Sequence, residues 1–91
     1  MTGELNKELA EVLRELRKAS KHRSQLLFSI AVDLDRSYIS KLERSLSSPT
    51  AAVLFEIAEQ LEIPLSEIMK MVEDRVKEKR GLRSKKQKKL S

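Results

Sequence analysis

From Leu5 to Val76 the apolar residues recur at steps of three and four, and almost nothing in the sequence interrupts that rhythm. The 91 residues include two glycines and two prolines, and β-branched residues never alternate with polar ones over a useful length. The period is therefore that of helices and not of strands. Polar or proline-bearing breaks at Asp33-Leu34, at Ser45 to Pro49 and at Ile63-Pro64 divide the pattern into short rods. A chain of this length has room for one domain with a small core, which a partner subunit would help to stabilise.

Five helices are expected, at about 4–20, 24–32, 36–44, 50–61 and 65–80. The first carries Leu5, Leu9, Val12, Leu13 and Leu16 as one stripe. Its acids Glu4, Glu8 and Glu11 suit the N-terminal end of the helix dipole, and Arg17, Lys18 and Lys21 suit the other end. Glu4 and Glu8 read as a solvated face. Ser24 is placed to cap the second helix, which turns Leu27, Phe28, Ala31 and Val32 inward. Asp35 is placed to cap the third, with Ile39 and Leu42 inward, and Thr50 the fourth, with Val53, Leu54, Ile57, Ala58 and Leu61 inward. The fifth holds Leu65, Ile68, Met69, Val72 and Val76, and Gly81 is a natural stop. Residues 1–80 are thus expected to form the domain and 81–91 a basic, flexible tail.

Charge and composition narrow the function. All 14 acidic residues lie within 1–78 beside 12 Lys and Arg, so that the body carries about −2. Residues 79–91 hold seven basic residues and no acid, which suits non-specific contact with polyanions or simple solubility. There is no cysteine and one histidine, His22, with no accompanying ligand spacing and no glycine-rich phosphate loop. Neither a metal site, a bound cofactor nor an enzyme is expected. No apolar run reaches membrane-spanning length and the N-terminus lacks a secretory pattern, so the cytoplasm is the expected compartment and no membrane partner is expected.

The informative feature is the pair of short helices at 24–32 and 36–44. The second turns Ile39 and Leu42 inward and leaves Arg36, Ser37, Ser40, Lys41 and Arg44 for a partner. Such a helix fits a major groove: Arg36 suits guanine O6 and N7, and Lys41 and Arg44 suit phosphates. The run Leu34-Asp35-Arg36-Ser37-Tyr38-Ile39-Ser40-Lys41-Leu42-Glu43-Arg44, with Ser24-Gln25 before it and Pro49-Thr50 after it, resembles the Cro/C1-type (Xre-like) helix-turn-helix family. Within that family the chain is similar to small controller proteins and single-domain phage repressors.

The resemblance implies a five-helix, all-α repressor-like domain that binds a double-stranded DNA operator, commonly as a homodimer on a palindrome. It implies DNA-facing roles for Gln25, Asp35, Arg36, Ser37, Tyr38, Ser40, Lys41 and Arg44. Glu43 matches an acid that pairs with a base late in the first helix, here Lys18 or Arg17. The family's usual glycines are replaced by His22, Asp33 and Ser45, of which His22 and Asp33 are residues that tolerate left-handed backbone. The apolar set of the fifth helix exceeds what the family core needs, which makes Met71, Val72, Arg75 and Val76 the expected dimer interface. An antitoxin with a toxin or other protein partner, and a protein-binding adaptor on the same fold, are the alternatives.

Overall fold

A computed structural model describes the backbone of residues 2–90 and the side chains of residues 3–81. Five helices follow one another: α1 (Thr2–Ala19), α2 (Gln25–Val32), α3 (Arg36–Glu43), α4 (Ala51–Leu61) and α5 (Leu65–Leu90). No strand occurs among the described residues, so the fold is all-α.

Local chemistry sets the helix ends. The Ser24 and Thr50 hydroxyls accept hydrogen bonds from the amides of Leu27 (3.3 Å) and Val53 (3.2 Å). Asp35 occupies the cap position of α3 but makes no side-chain capping bond. Three helices end the same way. After α2, α3 and α4 the backbone turns left-handed at Asp33 (φ 57°), Ser45 (φ 62°) and Glu62 (φ 58°). In each case the following amide bonds back five residues: Leu34 to the Ser29 carbonyl, Leu46 to Lys41 and Ile63 to Ala58. Asp33 and Ser45 therefore take the conformation for which the family commonly uses glycine, whereas His22 does not.

The core joins Leu9, Val12, Leu13, Phe28, Val32, Ile39, Leu42, Ile57, Ala58, Leu61, Ile68, Val72 and Val76. Most of the inward set expected from periodicity is found there or, for Leu16, Val53, Leu54, Leu65 and Met69, packed against it at partial burial; Leu5 and Leu27 are exposed, at 46% and 57%, and Ala31 is half-buried outside the cluster. An eight-residue helix offers a narrow buried stripe, and Phe28 and Val32 fill it.

Helix α5 departs from expectation twice. It does not stop at Gly81, where no left-handed backbone occurs and a side chain would meet nothing within 4 Å. The following residues are mostly Lys, Arg, Gln and Leu, which are good helix formers. The side chains of the expected basic tail from residue 82 onward lie outside the described residues.

The second departure concerns the expected dimer strip. Val72 and Val76 are buried inside the monomer, at 0% and 6% exposure, within the same cluster as Leu9 and Val12 of α1. Arg75 makes a two-pronged ion pair with Glu15 of α1, both bonds 2.8 Å long. Of the four residues, only Met71 presents an exposed apolar side chain. The strip is not surplus, because α1 extends far enough to cover it.

The same seam reverses the solvated reading of Glu8. Its side chain is buried and bonds Lys79, while Glu4 pairs with Arg80 at 3.6 Å. Helices α1 and α5 thus run antiparallel, with acids of one matched to bases of the other.

Candidate nucleic-acid interface

The turn from α2 into α3 is a helix-turn-helix held from behind by one buried ion pair. Arg17, near the end of α1, donates from Nε to Glu43 Oε2 (2.6 Å) and from Nη2 to Glu43 Oε1 (2.9 Å). Both side chains are about 5% exposed. Arg17 also donates to the carbonyl of Arg23, and Gln25 Nε2 donates to Glu43 Oε1 at 3.0 Å. One carboxylate at the end of α3 therefore fixes α1, the α1–α2 connection and the first residue of α2. Of the two bases expected to pair with Glu43, Arg17 does so; Lys18 is exposed.

This arrangement shapes the outer surface electrostatically. Glu43 is the only acid within α3, and its charge is matched internally by Arg17. Arg36, Lys41 and Arg44 remain exposed on the outside, with the exposed Asp35 at the head of the helix. Gln25, Arg36, Ser37, Ser40, Lys41 and Arg44 line one hollow of about 310 Å³. Six of the eight residues expected to face DNA thus meet on a single concave surface. Asp35 and Tyr38 lie outside it. Tyr38 is half-buried against the core, which suits a packing role alongside any contact with a DNA backbone.

His22 is a packing residue in this structure. Its ring lies 5.9 Å from that of Phe28, and its Nε2 is buried without a hydrogen-bond partner. No group of three or more His, Cys, Asp or Glu among the described residues is placed to hold a metal. No described helix is long and apolar enough to cross a membrane.

Residues 13–68 match the helix-turn-helix family model, a span that begins in α1, contains the whole α2–α3 unit and ends early in α5. The chain belongs to the helix-turn-helix family. It is of the Cro/C1 type, and as such a DNA-binding regulator of transcription. Among solved structures, it is similar to the clp gene regulator ClgR from Corynebacterium glutamicum. The TM-score is 0.78 at 17% identity, over 91% of this chain and 87% of that one. At that identity the likeness is one of fold. No curated protein matches the sequence.

Sequence reasoning missed the acids of α1 as structural residues. Glu4, Glu8, Glu11 and Glu15 follow one another at steps of four, three and four, which places them on one helix face. Arg75 and Lys79 have the matching four-residue spacing on α5. That complementarity was the available signal.

Proposed function

We propose that this protein regulates transcription by laying α3 in the major groove of an operator, as a homodimer reading an inverted repeat. The single observation that carries this reading is the gathering of Arg36, Ser37, Ser40, Lys41, Arg44 and Gln25 on one outward hollow, with the acid of α3 matched from behind. Arg36 and Ser37 stand at the N-terminal end of the helix, the end that reaches base edges, and Arg36 takes guanine O6 and N7. Lys41 and Arg44 lie farther along and neutralise phosphates. The free amide valences of Gln25 add a phosphate contact, while its bond to Glu43 holds α2 in register with α3.

The same hollow favours DNA over the adaptor reading, since an adaptor has no need of three exposed cations gathered along α3 and its C-cap. ClgR, described as a gene regulator, supports the reading by sharing the fold. Regulation through subunit concentration follows from linkage between dimerisation and operator occupancy, and the cytoplasm is the compartment that suits it. Selection of bound sequences from a random duplex library with purified protein tests the proposal. Enrichment of an inverted repeat with half-sites one helical turn apart, about 34–36 Å, is expected. Recovery of no enriched motif would overturn it in favour of a protein-binding adaptor.

A further inference from the structure

At the corner where α4 gives way to α5 lies a second hollow, of about 290 Å³, floored by Ala58, Ile63, Pro64 and Leu65 and walled by Phe55. Phe55 is 53% exposed, although an aromatic ring gains most by burial. The rim is acidic. Glu59 and Glu62 line it, and the exposed Glu56 and Glu67 stand close by in sequence. Among the described residues no Lys or Arg lines the hollow, and Glu62 makes only a loose 3.9 Å contact with Lys21, both side chains being exposed. An apolar floor with an acidic rim fits a segment that carries leucine among cations.

Residues 82–91 are such a segment. They contain Leu82, Leu90 and five bases, with no acid. The bases just before them are already matched within the chain: Arg75 by Glu15, Lys79 by Glu8 and Arg80 by Glu4. Beyond Gly81 the sequence adds five further cations and no acid. They cannot serve their own corner. Helix α5 begins at Leu65, on the floor of the hollow, and has 26 residues, so that its far end lies roughly 37 Å away at about 1.5 Å per residue.

We propose that this corner receives residues 82–91 of a second copy, exchanged reciprocally so that two α5 helices run antiparallel and each tail reaches the other's acidic corner. A two-fold arrangement uses both contacts and leaves no open end to propagate. The proposal deepens the dimeric half of the function proposed above and is independent of its DNA half. It also gives the dimer an interface in place of Val72 and Val76, which the monomer core occupies.

The test uses two full-length charge variants and sedimentation in the absence of DNA. One is Glu59→Lys/Glu62→Lys at the corner, and the other is Arg83→Glu/Lys86→Glu in the segment. Wild-type protein should sediment as a dimer at tens of micromolar. Each variant alone should show a dissociation constant raised roughly tenfold or more, because like charges then meet across the contact. An equimolar mixture should recover a species of dimer mass, since each variant then presents the charge that the other lacks. Unchanged far-ultraviolet circular dichroism identifies a lost dimer as a lost contact and not a lost fold.

A wild type that stays monomeric, a variant that dimerises like wild type, or a mixture that recovers nothing would each overturn the exchange. A segment variant that remains dimeric but binds all duplexes more weakly would assign those cations to DNA instead. Because the readout is mass without DNA, failure here leaves the operator reading standing, and failure to enrich a DNA motif leaves the exchange standing.

Discussion

Glu43→Ala should destabilise this domain more than any exposed substitution on the same helix. The carboxylate accepts two bonds from Arg17, at 2.6 and 2.9 Å, and one from Gln25 at 3.0 Å, in a site almost closed to water. Removing it leaves the Arg17 guanidinium buried with one remaining partner, the carbonyl of Arg23. Breaking a buried pair from one side costs about 3–5 kcal/mol, most of it from the stranded charge. A domain of this length holds roughly 5–14 kcal/mol at about 0.05–0.15 kcal/mol per residue, so the loss takes a large share. In urea, with a slope of about 1 kcal/mol/M, the midpoint should fall by about 3–5 M with little change of slope. The double replacement Arg17→Met/Glu43→Leu should recover most of the loss, because no charge is then left without a partner. A single mutant costing less than about 1 kcal/mol, or a double mutant no more stable than Glu43→Ala, would refute the reasoning.

Two further predictions concern stability. Ser45→Gly should raise the melting temperature, because a left-handed backbone costs a residue with a side chain about 1–2 kcal/mol that glycine avoids, partly offset by glycine's freedom in the unfolded chain; thermal denaturation checks it, and a lower melting temperature would contradict it. The hydrogen bonds from Arg75 hold the Glu15 carboxyl below its ordinary value of 4.5, so the stability it contributes is present at neutral pH and is lost as pH falls through that lowered value. Glu15→Gln should therefore cost under about 1 kcal/mol at pH 7, an exposed pair being weak, and the difference from wild type should shrink as acidification protonates Glu15; a difference that grows on acidification would contradict it.

The fold was legible because helices this short declare themselves through period and caps. Ser24 and Thr50 stand one residue before their helices and bond as their chemistry dictates. The Arg17–Glu43 link was legible only to within one residue. Arg17 and Lys18 are adjacent on a helix and about 100° apart around its axis, and only the packing of α3 decides which faces inward. The fate of Val72 and Val76 was not legible at all. A stripe on α5 states that something covers it, not whether the cover belongs to the same chain. The answer lay in the length of α1, whose early turns supply Leu9, Val12 and the acid Glu8. The outward placement of Arg36, Ser37, Lys41 and Arg44 was read more fully, because an exposed residue needs only its own helix to place it. Tyr38 is the exception, since its ring is drawn toward the core.

The central claim is that α3 reads bases, and it is tested most directly by comparing the sequence preferences of wild type and Arg36→Ala on one library of duplex variants. Arg36 stands exposed at the start of α3, on the hollow shared with Ser37 and Lys41. If it makes a two-pronged guanine contact, the mutant should lose discrimination at one position in each half-site, by about 1–3 kcal/mol, and keep its preferences elsewhere. An equal loss of affinity for every sequence, with the motif unchanged, would contradict the account and leave Arg36 as one more phosphate contact.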